Sequence, residues 1–284
     1  MEQTGQSSQD VKPQATQIAG NPSVAGDLRL QEFQSRIFRN TRTLRVWLPP
    51  GYEAPENASR HYPAFYLNDG QNLFDRATAF AGVEWGVDET AERLILEQKV
   101  APLIIVGIDN TGVDRMKEYL PYRSFSPRLL RPQGKRYPDF LIHEVMAFVH
   151  ANYRVASGPE NTGLGGSSLG GLIAMYTAIS RPQIFGRLLI ESPSLFVSGR
   201  KILKESRYFR DWPERVSLAI GTREAGRDDK DRRFVEDVLE LANIMRDAGL
   251  NEARLRVNIE EGAGHNEGSW ARRFPEALSF LFGA

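Results

Sequence analysis

From residue 64 to the end of the chain, short apolar runs alternate with longer amphipathic segments, and this alternation constrains the fold more than any single motif. Residues 64–67, 102–108, 162–166, 187–191, 216–220 and 254–259 read as strands. The run at 102–108 is apolar without a break, as in a strand buried on both faces. Between the strands, residues 87–99, 137–152, 169–180, 199–209, 231–248 and 269–282 read as helices; Phe234, Val238, Leu241, Ile244 and Met245 make one apolar stripe. Such a pattern predicts an α/β domain, a mostly parallel sheet with helices on both faces. Ahead of it, residues 28–38 and 43–48 flank a polar turn and predict an antiparallel hairpin at the sheet edge. No repeat or change in composition divides residues 27–284, which read as one domain. Residues 1–26, rich in Gln, Ser, Thr, Pro and Gly, read as a disordered tail.

Composition removes several classes of function. Charge is balanced, with 36 Lys+Arg against 36 Asp+Glu, so no net field favours nucleic acid. There is no cysteine, which excludes disulfides, thiolate metal sites and a cysteine nucleophile. His143-Glu144 begins like the zinc motif H-E-x-x-H, but Ala147 stands where the second histidine belongs. Neither a metal nor a cofactor is expected. No apolar run is long enough to span a membrane. The N-terminus has no basic n-region or apolar h-region, so the sequence shows no secretion signal and leaves the compartment open.

In α/β sheets, functional loops gather at the C-terminal ends of the strands. The strand at 162–166 runs into Gly166-Ser167-Ser168-Leu169-Gly170, the pattern G-x-S-x-G. A nucleophile elbow needs these glycines, because a strand turns there sharply into a helix and crowds its own backbone. Taken alone, the pattern also fits a Gly-rich turn. A serine hydroxyl needs a base, and the base needs an acid to orient it. Of the four histidines, His265 lies between glycines just past the last strand, whereas His143 and His150 fall on a helix and His61 in a loop. Glu224, at the end of the preceding strand, is the candidate acid, with Asp228, Asp229 and Asp231 as rivals further along. Oxyanion donors are expected from the Leu169 N–H and from Gln71 or its neighbour Asn72, after the strand at 64–67. Residues 109–136 show no period and hold Arg115, Lys117, Arg123, Arg128 and Arg131, which suit either a solvated face or an anionic substrate. Trp85, Phe125, Phe196 and Trp270 are candidate substrate contacts.

Several segments together resemble the Putative esterase family of the α/β-hydrolases. That family includes esterase D-like enzymes, feruloyl and acetylxylan esterases, siderophore (enterochelin) esterases and mycolyltransferases. The matching pieces are Leu48-Pro49-Pro50-Gly51-Tyr52, the run from Tyr66 to Asp75 (YLNDGQNLFD), Ile105-Val106-Gly107-Ile108-Asp109-Asn110, the serine motif, Ser192-Pro193-Ser194, and Gly264-His265-Asn266 with Trp270. They span residues 28–284 in the family's order. The resemblance implies an α/β-hydrolase fold and a serine esterase for a small-molecule or carbohydrate ester, with Ser168 as nucleophile, His265 as base, and Leu169 and Gln71 at the oxyanion hole. Glu224 matches the acid by placement only; many relatives carry Asp there, and some siderophore esterases work as Ser–His dyads. Asn68 replaces the commoner His of that loop. A catalytically inert binding protein on the same fold, or an acyltransferase using the same residues, are the alternatives.

Overall fold

The first turn in the logic of the fold is the order of its strands. The computed structural model describes residues 16–17, 23–123 and 131–283; Phe125, Arg128 and residues 1–15 and 18–22 of the expected tail lie outside them. Within the described residues one sheet is formed by β1 (Thr16–Gln17), β2 (Asp27–Ser35), β3 (Asn40–Leu48), β4 (Ala64–Asn68), β5 (Ile104–Ile108), β6 (Thr162–Ser167), β7 (Arg187–Glu191), β8 (Arg215–Arg223) and β9 (Leu255–Gly264). Their order is β1-β2-β3-β5-β4-β6-β7-β8-β9. The pairs from β5 through β4 to β9 are parallel, and β1, β2 and β3 add antiparallel strands at one edge. This is the expected α/β-hydrolase architecture. From β4 the chain leaves in one direction to β5 and then crosses back to β6. A crevice therefore opens beyond the ends of β4 and β6, at the point where strand order reverses.

Alternation along the central strands feeds two cores. Tyr66 of β4 and Val106 of β5 face one side with Leu172, Ile173 and Met175 of α5 (Leu169–Ser180) and Val238 and Leu241 of α7 (Asp228–Asp247). Phe65 and Leu67 face the other side with Val87, Ala91 and Leu94 of α1 (Val87–Leu96) and Trp270, Phe274 and Leu278 of α8 (Glu267–Phe282). Each such side chain, fully buried, contributes about 1.5–3 kcal/mol. Glycines in β6 make room for large neighbours: a Cβ on Gly163 would come within 2.7 Å of the Phe282 ring, and one on Gly165 within 2.6 Å of Leu189 Cβ.

Three details depart from the sequence reading. Residues 23–26 are tied to the domain: Ala25 N–H donates to Asp88 Oδ2 at 2.7 Å and Trp47 Nε1 donates to Ala25 O at 2.8 Å. Thr16–Gln17 pairs with Arg29 and Leu30. Polar composition hid these short backbone-led attachments. Second, the aperiodic stretch after β5 contains the short helix α2 (Arg115–Tyr119), anchored by the buried Tyr119, whose ring meets Tyr137 edge-on at 5.4 Å. Third, α3 (Tyr137–Phe140) passes through a π-helical turn (Leu141–Met146) into α4 (Ala147–Asn152). That turn presents Glu144, which caps the β2–β3 turn by accepting from the N–H groups of Arg36 and Ile37, each at 2.9 Å. The segment expected as helix over 199–209 is α6 (Val197–Ser206).

Candidate active site

Ser168 occupies the turn from β6 into α5 with φ 57° and ψ −123°, a conformation sparsely allowed to a residue with a Cβ. Its N–H donates to Glu191 O at 2.9 Å, and its carbonyl accepts from Leu172 N and Ser194 N, each at 3.1 Å. The strain is therefore held by β7 and the loop after it. The two motif glycines are steric necessities: a Cβ on Gly166 would lie 2.8 Å from the Gly170 carbonyl carbon, and one on Gly170 would lie 2.9 Å from Asp69 Oδ2. The hydroxyl of Ser168 is 3.4 Å from that of Ser194.

His265 follows β9 directly, with its ring edge-on to Trp270 at 5.1 Å and 87°. Its Nδ1 contacts Glu224 Oε2. A register shift in the β8–β9 pairing, between Gly221 and Arg223, brings the two residues together by setting Arg223 opposite Gly264. Gly221 permits it, since a Cβ there would sit 2.1 Å from Ala263 O. Glu224 is 2% exposed at its side chain. Its Oε1 accepts from Gly221 N–H and from the Ser192 hydroxyl, each at 2.7 Å. Burial alone would raise its pKa, but the hydrogen bonds from His265, Ser192 and Gly221 together hold the carboxyl below its ordinary value. The rival acids lie elsewhere: Asp231 accepts from Ala225 N–H at 2.5 Å, Asp229 pairs with Arg227 at 3.5 Å, and Asp228 is exposed on the same helix start.

Across the crevice, Asp69 follows β4 in a left-handed conformation, φ 60° and ψ 47°. Its carboxylate accepts from Arg115 Nε at 2.7 Å, Arg115 Nη2 at 2.8 Å and Asn110 Nδ2 at 2.7 Å. Gly70 then lies directly on β5, where a Cβ would be 2.6 Å from the Gly107 carbonyl carbon. Gln71 Oε1 accepts from Asn110 N–H at 3.2 Å, which fixes the loop from its other side. Asn68 joins both halves of the crevice: its Nδ2 donates to Gly170 O at 2.8 Å, and its Oδ1 accepts from the Tyr137 hydroxyl. The backbone N–H groups of Leu169 and Gln71 have no acceptor among the described residues.

A cavity of about 480 Å³ joins these pieces, lined by Gln71, Asn72, Phe80, Asn110, Arg115, Ser168, His265, Glu267 and Trp270 among others. That size suits a small molecule. No hydrogen bond links His265 to Ser168 among the described residues; such contacts are often long before a substrate is bound. Trp85 and Phe196, expected at the substrate pocket, do not line it. Trp85 is buried against Trp270 and Phe274, with ring centroids 5.7 and 6.1 Å away. Phe196 stacks on Phe234 at 4.9 Å, outside the cavity. His61, His143 and His150 are exposed and do not line it either. Lys117 pairs with Asp114 at 3.7 Å, and Arg123 and Arg131 border a different cavity.

Three residues at the site escaped the sequence reading. Ser192 begins the Ser-Pro-Ser segment after β7, and its place at a strand end was the available signal. Asp69 was legible only as part of a turn. Glu267, two residues past His265, is 8% exposed, accepts from Asn72 Nδ2 at 3.2 Å, and has its pKa raised by burial. Among the described residues no cluster of three or more His, Asp or Glu could hold a metal ion, and no helix is long and apolar enough to cross a membrane.

Comparison with known proteins places this arrangement in context. A family model described as Putative esterase matches residues 35–281. The uncharacterized protein YbbA of Bacillus subtilis (strain 168) is 26% identical over 248 residues, covering 85% of this chain and 93% of YbbA. The ferri-bacillibactin esterase BesA of the same organism is 21% identical over 244 residues, covering 79% of this chain and 80% of BesA. Among solved structures, the enterobactin esterase FES from Shigella flexneri superposes with a TM-score of 0.66 at 18% identity, over 95% of this chain. The chain spans 60% of the length of that protein.

Proposed function

Given that the chain belongs to the Putative esterase family, and is thus an esterase on the α/β-hydrolase fold, we propose that it hydrolyses carboxylic esters through an acyl-enzyme on Ser168. The observation that carries this reading is the Glu224–His265 contact, with His265 and Ser168 lining one cavity. Glu224 holds Nδ1 of His265, which leaves Nε2 to take the proton from the Ser168 hydroxyl as its oxygen attacks the ester carbonyl. The same proton then goes to the departing alcohol. Water, deprotonated by His265, releases the acid in the second half of the reaction. The free N–H groups of Leu169 and Gln71 suit the oxyanion, and each such donor is worth about 2.7–4 kcal/mol in the transition state.

The cavity walls bear on the substrate. Gln71, Asn72, Asn110, Arg115 and Glu267 offer hydrogen bonds, while Trp270 and Phe80 offer aromatic surface. An ester with polar groups and an aromatic or sugar face fits them, which favours a siderophore-type, phenolic or carbohydrate ester. The names of the esterases BesA and FES support the first of these. The test is hydrolysis of p-nitrophenyl acetate, followed by a panel of acetyl-xylan, feruloyl-arabinose and a catecholate trilactone. Ser168→Ala should abolish turnover and keep the melting temperature. Full activity in that variant would overturn the mechanism.

A further inference from the structure

We propose that Ser192 is a positioning residue that fixes the direction of hydrogen bonding through Glu224 to His265. The inference rests on the serine-esterase reading above. A serine hydroxyl has one proton to give and two lone pairs to receive with. Ser192 Oγ receives from Trp270 Nε1 at 2.9 Å and from Arg273 Nη2 at 3.3 Å. Neither group can accept a hydrogen bond. The single proton of Ser192 is left with Glu224 Oε1, 2.7 Å away. Oε1 also takes the Gly221 N–H at 2.7 Å, so two donors already point at it and it cannot itself carry a proton.

The consequence passes to Oε2, the oxygen in contact with Nδ1 of His265. Two donors on Oε1 favour the charged carboxylate over the neutral acid, so the proton in the Oε2–Nδ1 contact is held by Nδ1. The lone pair of the imidazole is then on Nε2, the nitrogen a base requires. The donors behind Ser192 are themselves fixed. Arg273 is 3% exposed, with Nε on Glu191 Oε2 at 2.9 Å and Nη1 on Glu260 Oε2 at 2.8 Å. Trp270 is packed by Trp85 and by the ring of His265. Ser192 also has φ 40°, where residues with a Cβ are rare, and its N–H is held by Ala219 O at 2.8 Å. Strain kept at such a position places a side chain that ordinary geometry would not.

The test removes the hydroxyl in two ways. Ser192→Ala deletes it, and Ser192→Gly deletes it while relaxing the backbone, so that one variant folds if the other does not. In either, kcat/KM for p-nitrophenyl acetate should fall by about 10-fold with KM little changed. The acid limb of its pH profile should move to higher pH by about half to one unit, because a carboxylate relieved of one donor holds the imidazolium proton more tightly. The low-field proton resonance of His265 Nδ1–H, recorded without substrate, should shift in parallel. A folded variant with the acid limb and the resonance both unchanged would make Ser192 a packing residue, whatever its rate. If the native protein hydrolyses no ester, the esterase mechanism fails, and the resonance still reports whether Ser192 controls the pair.

Discussion

Glu224, Glu84 and Asp88 are carboxyl groups withdrawn from water, yet their pKa values move in opposite directions. Burial acts on all three. Glu224 receives hydrogen bonds on both oxygens and is held below its ordinary value. Glu84 has only Arg76 at 3.3 Å on one oxygen, and its other oxygen is buried without a partner among the described residues. Burial and the nearby Glu89 push it up to about 7. Asp88 receives Ala25 N–H on Oδ2, while Oδ1 is buried without a partner, and burial together with Glu89 pushes it up to about 9. Donor supply, more than depth, decides whether a buried carboxyl is a usable charge. Glu224 keeps a charge beside an imidazole, whereas Glu84 and Asp88 are tolerated by protonation.

The comparison can be broken most directly at Glu224. Glu224→Gln keeps the size of the side chain but replaces a charge with an amide, and should lower kcat by about 10³–10⁴-fold. Asp228→Asn should change it by less than about 2-fold because the residue is exposed, and so should Asp231→Asn, whose amide oxygen can still accept from Ala225 N–H. Near-native rates in all three variants would leave a Ser168–His265 dyad. A smaller effect is expected across the crevice. Arg115→Met strips two donors from Asp69 and turns it into a poorly supplied carboxyl of the Glu84 kind. With Asp69 no longer anchoring the oxyanion loop, kcat/KM should fall by about 10–100-fold, the kinetic equivalent of a lost charged hydrogen bond. Steady-state kinetics with one chromogenic ester ranks all these variants, and equal activity of Arg115→Met and native protein would show that the loop holds its own shape.

The smallest effects concern stability. Glu84 and Asp88 have folded pKa values above their ordinary ones, so each stabilises the fold fully below the unfolded value and loses that contribution as pH rises. For Glu84 the loss runs from about 4.5 to about 7, and for Asp88 from about 3.8 to about 9. Glu224 has the opposite sign: its contribution is present above its ordinary value and is lost as pH falls through the lowered one. Glu84→Gln and Asp88→Asn should therefore raise the melting temperature at pH 8–9 by about 2–4 °C each, the shift about 1 kcal/mol makes in a domain of this size. Little change is expected at pH 4. Melting curves across pH read this out, and a uniform loss at every pH would mean that the carboxyls are charged and paired.

The fold was largely legible because strand–helix alternation is a property of local sequence, and each buried strand from β4 onward announces itself by apolar content or by turn signals. That Ser168, His265 and Glu224 lie at strand ends was legible for a related reason: turn residues and glycines mark where each strand stops. What escaped was set by contacts between distant segments. Trp85 looked like a pocket aromatic but is packed inside by Trp270 and Phe274, a pairing 185 and 189 residues apart in the chain. Ser192 was marked only by its place at a strand end, and its hydrogen bonds come from Trp270 and Arg273 on the last helix. Arg115 suited either a solvated face or an anionic substrate, and only the folded crevice pairs it with Asp69.

The glycines around the crevice divide it into parts with different freedom to change over evolution. A Cβ on Gly70, Gly166 or Gly170 would lie 2.6–2.9 Å from a neighbouring atom, so the turn at Ser168 and the loop after β4 form one interlocked body. Altering either would disturb the other, and drift there is penalised from both sides. Gly82 and Gly112 have nothing within 4 Å of a would-be Cβ but hold φ of 68° and 62°, and they lie near Phe80 and Val113, exposed by 73% and 97%. Side chains can change at Phe80 and Val113, which are exposed to solvent, while the two glycines are kept by their backbone and not by their neighbours. Descendants of this scaffold would then diverge in what they admit long before they diverge in what they do to it.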